Sequence, residues 1–138
     1  MLETIAQPGL SVPTLKNMEA YFNTHDVQYV TEDAVFINMS NGEETRGRKA
    51  IAEMLHFFYH VAFDARAEIK HTIVTENSAV LEFTFIGQHI GALGDLRPTN
   101  KIVRVPSCVV YDLENGLIKK ARIYMLNDVM IKQLTASN

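Results

Sequence analysis

The chain has 138 residues, 47% of them hydrophobic, with 13 Lys and Arg against 16 Asp and Glu and a formal charge of −3. A chain of that size buries roughly two thirds of the surface its unfolded form exposes, so a single globular domain is expected without disulfide or metal staples. The scattered signs of charge exclude the basic stripe of a nucleic-acid binder, and no apolar run approaches the ~18 residues of a membrane span.

Residues 1–12 carry Pro8 and Gly9 and no periodicity, and read as an N-terminal arm, with residues 13–138 as the domain. The opening Met1-Leu-Glu-Thr-Ile5 lacks a basic region followed by an apolar core, so no signal peptide is expected and the cytoplasm is the default location. Single Cys108 can form no internal disulfide, which fits a reducing compartment and a structural thiol. Arg46, Arg48 and Lys49 form a short basic cluster that reads as a solvated helix start.

From Thr14, the expected N-cap, Leu15, Met18, Tyr21 and Phe22 recur on one helical face. The helix ends near Asn23-Thr-His-Asp26, and Asp26 can cap a short helix carrying Val27, Tyr29 and Val30. Ala34 to Met39 is a β-rich run closed by Ser40-Asn41-Gly42, with Asn38 either facing a pocket or ending the strand. Gly47 to Phe63 reads as the longest helix, with Ala50, Ile51, Met54, Leu55, Phe58 and Ala62 as its apolar stripe. Glu53, His56 and His60 share another side. Their spacing would suit a divalent ion, but with no third element marked they read as a wet face, and no metal is expected.

Strands follow. Ile69, His71 and Ile73 alternate with Lys70, Thr72 and Val74; Ala79, Leu81, Phe83 and Phe85 then form a wholly apolar face. The glycine-bearing stretch Gly87 to Asn100 lacks the dinucleotide-binding spacing. Lys101 to Leu113 is a strand with Pro106 inside it, and Asn115-Gly116 turns the chain into a last strand reaching Asp128. Val129 to Leu134 is an apolar segment that should dock on the body. Helices first and an antiparallel meander after them make an α+β arrangement, a curved sheet wrapped against a few helices around a hollow.

Four segments carry a resemblance to a known family: Asn23-Thr-His-Asp26, Glu44-Thr-Arg-Gly-Arg-Lys-Ala-Ile51, Gly87-Gln-His-Ile-Gly91 with Arg97-Pro-Thr99, and Tyr111-Asp-Leu-Glu-Asn-Gly-Leu-Ile118. In this order the chain resembles the SnoaL-like polyketide and ester cyclases of the nuclear-transport-factor-2-like (NTF2-like) superfamily, from about Thr14 to Leu134. The resemblance implies a cone-shaped α+β barrel with an internal pocket, no cofactor, and a homodimer. It also implies a last strand ending Tyr-x-Asp, whose Asp moves the proton in an intramolecular aldol closure. Tyr124 matches, and Gln133-Leu134 sets the register, but the Asp position holds Leu126. A slip of one or two residues would swing Asp128 inward.

With Leu126 inward, alternation places Arg122 and Tyr124 on the pocket side and Ala121, Ile123 and Met125 outside, as an apolar row for a partner subunit. His89 shares the parity of its strand's apolar face and is the best acid/base candidate, ahead of His71 and His25. The expected catalytic set is therefore His89, Arg122, Tyr124 and Asp128, with Asn38, Phe58, Phe83, Phe85, Tyr111 and Leu126 around the ligand. Such a pocket suits a hydrophobic polyketide- or terpenoid-like molecule and a cofactor-independent cyclase or isomerase. The alternative is a binding or interaction protein that kept the cup and lost the Asp.

Overall fold

A computed structural model describes the backbone of residues 4–6 and all of residues 8–137. Ser11, not Thr14, caps the first helix, α1 (Val12–Thr24): its hydroxyl accepts from the Thr14 N–H at 3.3 Å, and Pro13 sits in the first turn. Thr14 instead donates its hydroxyl to Glu76 at 2.9 Å, tying the helix start to the sheet. The helix ends at His25, whose left-handed backbone (φ 55°) lets its N–H reach the Tyr21 carbonyl at 2.7 Å. Asp26 then caps a 3₁₀ turn (Val27–Tyr29) by accepting from the Gln28 N–H at 2.9 Å.

Strand β1 (Thr4–Ala6) lies in the stretch expected to be an arm; it pairs parallel with β4 (Phe63–Val74). Residues 1–3 and 7 of that expected arm lie outside the described residues. β2 (Val30–Asn38) and β3 (Glu44–Arg46) form a hairpin. The expected long helix divides into α2 (Arg48–His56) and a π-helical segment (Phe57–Ala62) that runs directly into β4. β5 (Ser78–His89), β6 (Ile102–Glu114) and β7 (Leu117–Met125) complete the meander, and α3 (Asn127–Thr135) closes the chain. The strands form a curved seven-stranded sheet in the order β1-β4-β5-β6-β7-β2-β3. Among the described residues, only the β1–β4 and β2–β7 pairs are parallel. The architecture is α+β, as the element order predicts.

Two bulges decide which side chains face the helices. In β7, Ile118 opposes Leu113 and Lys120 opposes Asp112, which leaves Lys119 as the extra residue. Ile118 is buried, and beyond the bulge the buried parity passes to Ala121. In β4, Ile69 opposes Phe83 and His71 opposes Glu82, so Lys70 is the extra residue and the inner row passes from Ile69 to Thr72. An extra residue increases local twist and bends the strand, which is how a long antiparallel meander curls around a helix layer. The core under that curve includes Met18, Tyr21, Phe22, Phe36, Ile51 and Phe85. Gly91 has no room for a side chain, since a Cβ there would lie 2.2 Å from the Val61 carbonyl oxygen.

Candidate active site

A cavity of about 370 Å³ lies between the inner face of the sheet and the helices. Its walls come from β2 and β3 (Phe36, Asn38, Thr45), from α2 and the π segment (Met54, Leu55, Phe58, Tyr59), and from the inner row of β5 to β7 (Leu81, Phe83, Phe85, Val109, Tyr111, Ile123). Each side chain has a local cause for being there. The inner row follows from strand alternation against the core. Phe58 and Tyr59, adjacent in sequence, both reach the cavity from the wide π turn, a distortion that recurs at functional sites.

The polar groups fall into two sets. At the mouth stand Asn38, Glu43, Thr45 and Asn127. There Asn38 also ends its strand, its Oδ1 accepting from the Ser40 N–H at 3.0 Å and the Ser40 hydroxyl at 2.6 Å. Asn127 donates to the Ser40 hydroxyl at 2.6 Å. Deeper lie His25, Tyr21, Tyr59 and Tyr111. The His25 ring stacks on Tyr59 with centroids 4.7 Å apart and meets the Tyr21 ring edge-on at 5.6 Å. Tyr21 meets Tyr111 in the same way at 5.8 Å. Among the described residues, none of the three phenolic oxygens has a hydrogen-bond partner.

Burial sets the electrostatics of this deep group. It lowers the pKa of His25 to about 4, so the imidazole is neutral at physiological pH. Burial, joined for Tyr21 and Tyr111 by the neighbouring phenols, pushes all three hydroxyls up. They remain protonated donors, next to a neutral nitrogen base.

Of the residues expected around a ligand, Asn38, Phe58, Phe83, Phe85 and Tyr111 line the cavity, and Leu126 does not: it is about half exposed, just before α3. The expected catalytic positions lie elsewhere. Arg122 and Tyr124 face the outer side of the sheet: their inward placement relied on Leu126 facing inward, and the register instead sets Ala121 opposite Tyr111 and Ile123 opposite Val109 on the inner row. Ala121, Ile123 and Met125, expected outside, take the inner row. Arg122 donates to both carboxylate oxygens of Asp112, at 2.9 and 3.1 Å, and this bond holds the Asp112 carboxyl below its usual range.

Asp128 is exposed in the first turn of α3, because the strand stops at Met125 and the helix begins at Asn127. His89 has the predicted inward parity and is fully buried, but it does not line the main cavity. It packs on Phe63 at 5.2 Å, and its Nδ1 accepts from the Thr99 N–H at 3.1 Å, anchoring the loop before β6. Nε2 is buried with no partner among the described residues.

His25 is the residue that sequence reasoning ranked too low. The sequence marks only that it ends the first helix; its stacking on Tyr59 and contact with Tyr21 depend on the fold. Glu53, His56 and His60 stay on the exposed face of α2 and the π segment, and among the described residues no group of three His, Cys, Asp or Glu could hold a metal ion.

A second hollow, of about 430 Å³, lies on the other side of α2 and the π segment. His25, Leu55 and Tyr59 belong to both walls. Among the described residues no helix is long and apolar enough to cross a membrane.

Solved structures share this architecture. A protein from Jannaschia sp. CCS1, assigned as a SnoaL-like polyketide cyclase, superimposes with a TM-score of 0.83 at 12% identity, covering 96% of this chain and 98% of that one. A protein from Xanthomonas campestris pv. campestris, assigned as a polyketide cyclase, gives 0.76 at 18% identity over 89% of this chain and 97% of that one. A protein of ketosteroid isomerase-like fold from Catenulispora acidiphila, solved in complex with trimethylamine, gives 0.67 at 13% identity over 89% and 93%. No curated protein matches the chain at a significant level. At these identities the structures show the fold, while the family model for SnoaL-like polyketide cyclases matches residues 14–134, nearly the whole sequence. The chain belongs to the SnoaL-like polyketide cyclase family, with the NTF2-like fold.

Proposed function

We propose that the chain is a cofactor-independent cyclase or isomerase acting on a hydrophobic carbonyl compound, polyketide- or terpenoid-like in character, held in the main cavity. The observation that carries this reading is the deep polar group: neutral His25 stacked on Tyr59 beside the buried hydroxyls of Tyr21 and Tyr111. In the proposed step His25 removes a proton from the carbon next to the substrate carbonyl, and the electron pair of that C–H bond moves onto the carbonyl oxygen as an enolate. A tyrosine hydroxyl donates to that oxygen. The enolate then takes the proton back at another carbon, which is isomerisation. Alternatively its carbon attacks a second carbonyl of the same molecule, and the new alkoxide takes the proton from His25, which is aldol closure.

A base of pKa about 4 is weak, so most of the barrier lowering must come from the oxyanion donors and from holding a flexible substrate folded. This reading moves the proton-transfer role from His89 to His25 and leaves the Leu126 position without a part in the chemistry.

The test is hydrogen–deuterium exchange at the α-carbon of 2-tetralone in heavy water, followed by NMR. The protein should accelerate the exchange. His25→Asn, chosen because Asn tolerates the left-handed backbone at this position, should lower the acceleration by about 10²-fold or more. Tyr59→Phe should cost about a hundredfold if its hydroxyl holds the oxyanion. Exchange no faster than in buffer, with tetralone bound, would support the binding-protein reading instead. That second reading is favoured by one observation: among the described residues, the only carboxylate lining the cavity is Glu43, at the mouth.

The homodimer belongs to the same proposal, through the outer face of β5–β7. There Val110 and Tyr124 are flanked by Glu82, Asp112, Lys120 and Arg122, a mixture of signs that a second copy related by a two-fold axis can match.

A further inference from the structure

The main cavity passes from apolar to polar along the β2–β3 hairpin, and the register of that hairpin fixes which side chains face it. Phe36 opposes Thr45 and Ile37 opposes Glu44. One step on, the Asn38 N–H donates to the Glu43 carbonyl at 2.8 Å, which continues the same pairing. Side chains alternate between the two faces, so Phe36, Asn38, Glu43 and Thr45 share one, and all four line the cavity. Glu44 and Arg46 take the other face and pair with each other.

No Lys or Arg lines the cavity, and burial keeps His25 neutral, so among the described residues Glu43 supplies its one charge. Unlike that of Glu44, the Glu43 carboxylate has no hydrogen bond and no ion pair among the described residues. Ser40 orients the amides nearby. Its backbone N–H can only donate, so the Asn38 atom it meets at 3.0 Å is Oδ1. The Ser40 hydroxyl gives its single proton to that same oxygen at 2.6 Å, and its own oxygen therefore accepts from Asn127 Nδ2 at 2.6 Å. Asn127 Oδ1 is left as an acceptor with no partner among the described residues. A free carboxylate and a free amide oxygen at the mouth of an aromatic cavity match a ligand whose polar end only donates and carries positive charge, and an ammonium does both.

We propose that the ligand of the main cavity is an apolar amine: its body lies against Phe58, Phe83 and Phe85, and its protonated nitrogen stands at the mouth, donating to Glu43 and to Asn127 Oδ1. The volume of about 370 Å³ accommodates such a molecule. The inference rests on the reading that this cavity holds the ligand, and not on the reaction that follows. It narrows the carbonyl compounds considered above to those with a basic nitrogen remote from the reacting carbon.

The test is calorimetric titration of the full chain at neutral pH with 4-phenylbutylamine and its neutral isostere 4-phenyl-1-butanol. The amine should bind about five- to tenfold more tightly, the scale of one charge-assisted contact that stays partly open to water. The alcohol should displace the amine, which places the two in one cavity. Glu43→Gln should remove the advantage of the amine and leave the affinity for the alcohol unchanged. Glu44→Gln makes the same change of charge on the other face of the hairpin and should keep the advantage. Both positions are exposed, so both variants should unfold at the wild-type temperature. Equal affinity of the wild type for amine and alcohol, or an advantage that survives Glu43→Gln, overturns the proposal and leaves the cavity standing as a ligand site. An advantage lost equally in Glu44→Gln also overturns it, because net charge alone then accounts for the preference. Binding of neither probe overturns both the proposal and the reading of the cavity on which it rests.

Discussion

His25 shows how much of a residue's chemistry comes from its surroundings. The same imidazole on a solvated loop would titrate near 6.5; here burial lowers it to about 4. The consequence for stability has a definite sign. Above pH 6.5 His25 is neutral in both folded and unfolded chains and contributes no pH dependence. Between 6.5 and 4 the unfolded chain takes up a proton that the folded one refuses, so stability should fall with pH by at most about 1.4 kcal/mol per unit from this group. Urea titrations at pH 6.5 and 4.5 should show that loss in the wild type and a smaller one in His25→Asn; equal losses would mean that His25 is not held neutral.

Arg122 is the opposite case, a residue whose expected role dissolves once its face is known. Its pair with Asp112 is partly exposed, so Arg122→Ala should cost no more than about 1 kcal/mol. Tetralone exchange should be unchanged, and a loss of a hundredfold would return Arg122 to the site.

At the scale of elements, the bulges and the π segment build the site. Ala34-Val-Phe-Ile, the Ala79 to Phe85 row and the Asn115-Gly116 turn could be read directly, because alternation and turn chemistry are local. The Lys119 bulge could not, since an extra residue is defined only against the partner strand. The inward placement of Arg122, Tyr124 and Leu126 came from the family's strand pattern, and unbroken alternation from buried Ile118 would have pointed the same way. One local cue pointed the other way. Ala121, Ile123 and Met125 form an apolar row and Lys120, Arg122 and Tyr124 a polar one, which is the simplest statement of inside and outside. Deleting Lys119 should restore unbroken alternation and drive Arg122 toward the core, leaving a chain without a cooperative unfolding transition. Lys119→Ala, which keeps the extra residue, should stay within about 0.5 kcal/mol of wild type. A cooperatively folded deletion variant would mean that the bulge is dispensable.

At the scale of the whole molecule, the sheet has two faces of different character. The inner one is concave and closed by helices around the main cavity, and the outer one carries the mixed charges of Glu82, Asp112, Lys120 and Arg122. If that outer face joins two copies, sedimentation velocity at micromolar concentration should show a dimer. Tyr124→Glu should shift it toward monomer without altering the unfolding of the protomer. A wild-type monomer under those conditions would remove the homodimer.

Composition, helical and strand periodicity, turns and family motifs lie along the chain, and from them the α+β architecture, the family and part of the cavity wall (Asn38, Phe58, Phe83, Phe85, Tyr111) follow from the sequence alone. The acid/base candidate and the orientation of the last strand do not. Which His stands against a tyrosine cluster, and which side of β7 faces the hollow, depend on strand register and on contacts between residues far apart in sequence. A single inserted residue, Lys119, exchanges the two faces of a strand without changing its pattern of residue types enough to announce itself. Only the folded sheet, with Ala121 opposite Tyr111 and Ile123 opposite Val109, decides between them.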